Sequence, residues 1–396
     1  MSTSTDVYYD PYDFDIDSDP YPTWKRLRDE APVYYNEKYN FYALSRFADV
    51  EAASVDWETF SSARGVTIEM IQAEIPKMNG LFIGEDPPEH DMHRKILSRA
   101  VTPKRVKELD GSIRGLCAEY LDPHVGSDGF EVVQSFAANL PMRVIGALVG
   151  VPEEFQLEIR EDMDAEGRLE EGEMPDGSYI LTIGEPYRPF LEYRRKHPAN
   201  DFISELIEAT FTDVLTGKDR HLSDEEILNY VGQLNGAGNE TTARLIGWTV
   251  KVLAEYPEAR AQLVADPSLI PSAIEEMLRF EAPSPIQGRY VTKDVEMHGV
   301  RIPEGSTLGL LTGAAGRDER RYEDPDTFDM FRNSGHHLTF GYGVHFCFGA
   351  ALARIEGRLA LEELLKRFPT WDVDLKSAEF IHTSTVRGYE KLNMLL

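Results

Sequence analysis

Leu338-Thr339-Phe340-Gly341-Tyr342-Gly343-Val344-His345-Phe346-Cys347-Phe348-Gly349 runs directly into an amphipathic pattern from Ala350 to Phe368. A cysteine therefore sits in a glycine-punctuated loop at the start of a predicted helix. The free N–H groups of the first turn and the positive end of the helix favour a thiolate and lower its pKa. The glycines allow the backbone to approach a flat ligand closely. Both conditions suit a metal-ligating or nucleophilic sulfur. The other cysteine, Cys117, lies between Leu116 and Ala118 in a helical pattern and reads as a small buried hydrophobe.

Working outward, helical periodicity dominates. Helices are predicted over Tyr21 to Glu30, Phe47 to Val55, Glu89 to Ala100, Pro103 to Leu121, Glu153 to Met163, Gly184 to Lys196, Asp201 to Ala209, Pro257 to Ala265 and Pro271 to Phe280. A tyrosine-rich hairpin is expected over Val33 to Leu44, and short strands over Ile286 to Thr292, Val295 to Ile302 and Leu308 to Leu311. The longest helix opens at Ser223, where Ser223 and Glu226 form a reciprocal capping pattern, and runs to about Tyr256, roughly 50 Å at 1.5 Å per residue. Its middle, Leu234 to Thr242, is a stretch of poor helix formers that predicts a local opening. The alternative is that Gly236 and Gly238 only permit close helix packing. The class is mainly α with a small β region. No repeat or linker divides residues 1–396, so one domain is expected.

Composition removes several functions. Lysine and arginine total 41 against 69 acids, a net charge of −28 that repels nucleic acid and anionic membrane surfaces. No apolar run reaches the ~18 residues of a membrane helix, and the acidic N-terminus is unlike a secretion signal. With two cysteines and no disulfide framework, a cytoplasmic protein is expected. Against the acidic background, Met92 to Lys107 holds Arg94, Lys95, Arg99, Lys104, Arg105 and Lys107 with no acid.

One candidate cysteine excludes a four-cysteine cluster or zinc site, whereas haem needs a single protein ligand, and thiolate ligation favours O–O cleavage. Here the resemblance becomes specific. Phe340-Gly-x-Gly-x-His345-x-Cys347-x-Gly349 with Ala350-Ala351-Leu352-Ala353-Arg354 resembles the haem-binding loop of the cytochrome P-450 family. Glu276-Met277-Leu278-Arg279 resembles the ExxR motif of that family, and Asp324-Pro325-Asp326-x-Phe328-Asp329-x-x-Arg332 follows in the family's order. Ala237-Gly238-Asn239-Glu240-Thr241-Thr242 resembles its oxygen-activation stretch. Two departures stand out: Gly316 where asparagine is common, and Phe348 where a smaller aliphatic is common.

The resemblance implies a triangular-prism fold holding haem b (iron protoporphyrin IX), with Cys347 as the axial iron ligand. His90, Arg94, Arg289 and His345 would meet the propionates, and Arg332 would complete a Glu-Arg-Arg network. Thr241 would hydrogen-bond the oxygen being activated while Glu240 relays protons. The competing reading of Thr241 is a helix hydroxyl bonded back to a carbonyl. The implied reaction is monooxygenation of a small, largely apolar substrate by O2, in a monomer served by a ferredoxin-type donor and its reductase. The resemblance lines the pocket with the loop Gly65 to Phe82, Met163 to Tyr187, Ala237, Gly238, Pro285 to Gln287 and Val386, near an acidic stretch over 161–173. Arg354 and Arg358 would extend the basic run as the donor's docking face. Two rival readings remain, a haem sensor without oxygen chemistry and a dehydrogenase using Gly236-x-Gly238.

Overall fold

A computed structural model describes residues 7–98, 102–157, 159, 168–333 and 335–396. Its centre is one helix, Asp224–Glu255, 32 residues long, opened by the predicted capping box in which Ser223 accepts from Glu226 N–H and the Glu226 carboxylate accepts from Ser223 N–H. Most of its residues are buried, because other elements pack around it: Asn139–Val149, the cysteine helix Ala350–Arg367, and the strand Arg387–Leu395. The helix is continuous, so the expected opening over Leu234 to Thr242 is not a break. Its glycines serve close packing instead. A Cβ on Gly232 would lie 2.2 Å from the Ile183 carbonyl oxygen, and one on Gly238 would touch Ile145.

The helices Tyr21–Glu30, Phe47–Val55 and Pro257–Ala265 match the sequence boundaries, and Ile270–Phe280 starts one residue early. The stretch predicted as one helix over Pro103 to Leu121 divides into Pro103–Glu108 and Asp110–Leu121. The Leu109 N–H bonds to Val106 three residues back, a tightening that breaks the α pattern. Gly184 to Lys196 likewise begins as a 3₁₀ turn, Glu185–Tyr187, before the α-helix Arg188–Lys196. Of the helix predicted over Glu153 to Met163, positions 153–157 and 159 are helical and the rest lie outside the described residues.

Five strands form one sheet in the order Val33–Asn36, Phe41–Leu44, Thr307–Leu310, Gln287–Val291, Phe60–Ser61. The pairing of Phe41–Leu44 with Thr307–Leu310 is parallel, with Phe41 opposite Thr307, so chain segments far apart in sequence share one layer. A second sheet joins Asp372–His382, Arg387–Leu395 and Gly129–Glu131, none of them predicted. No helix among the described residues is long and apolar enough to cross a membrane.

Candidate active site

The cysteine loop is held from both sides. Gly343 adopts φ +73°, and a Cβ there would lie 2.7 Å from the Ser54 carbonyl oxygen, so only glycine lets the loop pack on the helix Phe47–Val55. The Cys347 N–H donates to Phe340 O at 2.7 Å, folding the loop back on itself. Thr339 Oγ1 donates to Leu278 O at 2.7 Å and joins the loop to the helix Ile270–Phe280.

That helix carries the predicted ion network. Arg279 reaches both oxygens of Glu276 at 2.7 Å, and Arg332 Nε reaches Glu276 Oε1 at 3.0 Å. Arg279 is fully buried and also donates to the carbonyls of Gly316 and Pro325, at 2.6 and 2.9 Å. Arg332 donates to Asp324 O and Thr327 O, both at 3.0 Å. The two guanidiniums thus bind one carboxylate and a row of carbonyls in the segment leading to the cysteine loop. A Cβ on Gly316 would lie 2.6 Å from Arg279 O, which accounts for glycine at this departure from the family pattern.

Cys347 is half-buried, and burial pushes its thiol above the ordinary range. The N–H groups of Gly349 and Ala350 and the charges of Arg94 and Arg354 act the other way without overcoming it. The helix terminus thus favours the thiolate as expected, but burial outweighs it, so the expected net lowering of the pKa is not found. A coordinating metal deprotonates a thiol outright, and the backbone donors then stabilise the anion. Cys117 is buried, its thiol pushed up to about 12 mainly by burial, and it serves the core as expected.

A cavity of about 720 Å³ lies along the central helix. At one end His345 and Arg289 form its wall. Arg289 is 4% exposed and donates to Gly288 O and Gln287 Oε1, with no carboxylate in contact among the described residues; burial lowers its pKa to about 10. The His345 ring meets the His90 ring edge-on at 4.5 Å, and the Nε2 atoms of both are buried with no hydrogen-bond partner. Burial, then the charges of Arg289, His90 and Arg94, push His345 down to about 2. Arg94 donates to Phe346 O at 2.6 Å and lies over the Phe348 ring, which packs on Phe82. The four residues predicted for the propionates thus converge on one side of the cysteine loop. His90 Nδ1 is met by Asp91 Oδ1 at 3.0 Å, but the two Nε2 atoms find no partner and the guanidiniums of Arg94 and Arg289 meet only carbonyl and amide oxygens, so this cluster fits a further anionic group. A flat cofactor with two carboxylates would satisfy them.

On the central helix the cavity is lined by Gln233, Gly236, Ala237, Asn239, Glu240 and Thr241. Gly238 points to Ile145 instead and is not part of the wall, a correction to the expected lining. Thr241 Oγ1 donates to Ala237 O at 2.7 Å, and Glu240 lies 3.8 Å from Arg244 one turn on. The remaining walls come from the predicted segments, including Met70, Leu81, Ile180, Ile183, Ile286 and Val386. Sequence reasoning missed Ile83, Gln233, Ser284, Ser384 and Thr385. The last two belong to the turn of an unforeseen hairpin. Of the acidic stretch, 161–167 lies outside the described residues.

The basic run differs from expectation. Arg354 is paired with Glu275 at 2.6 Å, Arg358 with Glu362 and Asp110, and Arg105 with Glu205. Arg354 and Arg358 therefore do not extend a free cationic patch. Lys95, Lys104 and Lys107 are exposed, and Arg99 lies outside the described residues.

A cysteine loop at one helix terminus, braced by a buried Glu-Arg-Arg network beside a cluster of two histidines and two arginines and a long cavity-lining helix, is the architecture of a haem-thiolate oxygenase. A model of the family Cytochrome P450 matches residues 183–384. Cytochrome P450 123 of Mycobacterium tuberculosis is 39% identical over 393 residues, covering 98% of this chain and 96% of that one. Among solved structures, cytochrome P450 CYP109Q5 from Chondromyces apiculatus is similar at 31% identity and TM-score 0.85, covering 98% of each chain. CYP109E1 from Bacillus megaterium in complex with testosterone is similar at 28% identity and TM-score 0.86, covering 96% of this chain and 98% of that one. The chain belongs to the cytochrome P450 family, and with it comes haem-dependent monooxygenation.

Proposed function

We propose that this enzyme inserts one atom of O2 into a small, largely apolar molecule, with Cys347 as the axial ligand of haem b. The observation that carries the reading is the convergence beside the cysteine loop of His90 and His345, whose Nε2 atoms find no partner, with Arg94 and Arg289, whose guanidiniums meet only carbonyl and amide oxygens. In this reading His90, Arg94, Arg289 and His345 would hold the cofactor's propionates and Cys347 would hold its iron. When bound, haem supplies dioxygen activation, and thiolate ligation favours O–O cleavage.

The chain's own part is to position and to move protons. Ala237 and Gly236 leave room on the central helix for substrate, while Met70, Leu81, Ile180 and Val386 exclude water from it. Glu240, near Arg244 and partly open to solvent, takes protons from water. Thr241 passes them on by turning its hydroxyl away from Ala237 O. Two electrons come from a separate ferredoxin-type donor with its reductase. The protein acts as a cytoplasmic monomer, with residues 1–396 as one domain. The parallel pairing of Phe41–Leu44 with Thr307–Leu310 supports that last point.

The test is the spectrum of the reduced, CO-bound protein together with product formation. A Soret band shifted far to the red with electron-dependent hydroxylation or epoxidation is expected. A haem band without turnover would indicate a sensor, and no haem band would overturn the reading.

A further inference from the structure

The cavity wall away from the haem-edge cluster carries more oxygen and nitrogen than an apolar substrate uses. Ser284 and Thr385, half-buried, have no partner for their hydroxyls among the described residues. Ser384 beside them meets the Tyr179 hydroxyl. These groups come from two segments, the loop after the helix Ile270–Phe280 and the turn between Asp372–His382 and Arg387–Leu395.

Gln233 adds a donor on the central helix. It lines the cavity and is 5% exposed. Its Oε1 accepts from Ile83 N–H at 3.0 Å, and because a backbone N–H can only donate, the amide orientation is fixed. The Nε2 group is left buried with no partner. An amide donor held in this way lacks an acceptor that a ligand can provide.

Each charged group on the wall is either paired within the protein or, in the monooxygenase reading, taken by the cofactor's carboxylates. Glu185 is bound by both arms of Arg188, at 2.8 and 2.5 Å. Glu240 lies 3.8 Å from Arg244. Arg289 stands with His345 at the haem edge. A substrate carboxylate would find no spare cation among the described lining residues, and burying an unpaired carboxylate costs several kcal/mol.

Resting on the monooxygenase reading, we infer that the substrate is an uncharged molecule with an apolar body and at least one carbonyl or hydroxyl oxygen. One such oxygen accepts from Gln233 Nε2, and others meet the hydroxyls of Ser284 and Thr385. Free carboxylic acids are excluded as substrates.

The test uses the haem-loaded protein and a panel of matched carboxylic acids and primary amides on linear, terpenoid and steroid skeletons, with dodecanoic acid and dodecanamide as the linear pair. Uptake is measured by equilibrium dialysis at neutral pH, which does not depend on the iron ligand. The CO-bound spectrum of the same samples reports separately on the haem-thiolate reading. Amides should bind at least tenfold more tightly than their acids. Gln233→Glu keeps an oxygen for Ile83 N–H and removes the donor, and it should weaken amide binding about tenfold while naphthalene, which has no oxygen, is held as before. Acids that bind as tightly as their amides, a panel in which no amide binds, or a Gln233→Glu protein that binds amides as well as the parent would each overturn the inference.

Discussion

Thr241 Oγ1 donates to Ala237 O at 2.7 Å, one turn back on the central helix, so the hydroxyl proposed to serve oxygen chemistry is engaged by the backbone. Such a bond is worth about 1 kcal/mol, small enough to be exchanged for a ligand at little cost. Thr241→Ala should leave haem and substrate binding intact while electrons are diverted to hydrogen peroxide. The ratio of product formed to electrons consumed should fall at least fivefold. A ratio equal to the parent's would leave Thr241 as a helix hydroxyl and nothing more.

Cys347→Ser replaces the sulfur with a neutral hydroxyl that cannot donate the same electron density, and it should abolish both the red-shifted CO band and turnover. Cys117→Ser changes a core position and should cost about 1 kcal/mol of stability while the band remains. Loss of the band in the Cys117 variant would mean that the wrong sulfur has been chosen.

His93 sits between His90 and Arg94 on the helix Glu89–Leu97, with Nδ1 2.6 Å from Glu85 Oε2 and Nε2 3.7 Å from Glu226 Oε1. Burial pulls its pKa down, but the neighbouring Glu226 carboxylate and the hydrogen-bonded Glu85 carboxylate more than offset this and raise it to about 9. A group whose pKa is raised on folding contributes stability that is fully present below its unfolded value of 6.5 and is lost as pH rises through about 9. The parent should therefore lose stability between those limits, on the order of 3 kcal/mol. In His93→Gln, urea unfolding should show a flatter pH dependence across the same window. An unchanged slope would show that the imidazole is not charged in the folded protein.

Glu276 is 2% exposed and serves two arginines at once. Glu276→Gln leaves Arg279 and Arg332 without their counter-charge, a change of about 3–5 kcal/mol for a broken buried pair. Because both arginines also hold the carbonyls of Gly316, Asp324, Pro325 and Thr327, haem retention should fall along with the unfolding midpoint. A stable variant with full haem content would show that the carbonyl bonds suffice.

What could be read from the sequence follows from how local each signal is. The capping pair Ser223 and Glu226, the ExxR spacing and the cysteine loop lie within a few residues of their partners, and all three are found in the fold. The strands Asp372–His382 and Arg387–Leu395 escaped because their alternation is broken by a register shift between Asp374 and Glu379, and much of the first strand is exposed. Ser384 and Thr385, carried by their turn, were missed for that reason. The continuity of the central helix through Gly236 and Gly238 was also hidden. Intrinsic propensity disfavours it, and tertiary packing of the same helix, at Gly232 against Ile183 and at Gly238 against Ile145, outweighs that preference. The pairing of Arg354 with Glu275 likewise joins two helices 79 residues apart.

That pairing narrows the surface available to an electron donor. With Arg354, Arg358 and Arg105 each matched to carboxylates, the free charge of the basic run among the described residues rests on Lys95, which is exposed on Glu89–Leu97, and on Lys104 and Lys107. Lys104 lies 3.9 Å from Glu108 with both side chains largely in solvent, an ion pair worth well under about 1 kcal/mol that leaves the cation available. In a protein of net charge −28, a local positive area gives an acidic ferredoxin orientation and speed that the whole-molecule field opposes. Lys95→Glu with Lys104→Glu should slow electron transfer from such a donor about tenfold at low salt. The defect should shrink as ionic strength rises toward about 0.5 M, because the screening length then falls below the spacing of exposed charges. Turnover driven by hydrogen peroxide, which needs no donor, should stay within twofold of the parent. Equal loss in both assays would point to damaged haem binding, and no loss in either would place the docking face away from these lysines.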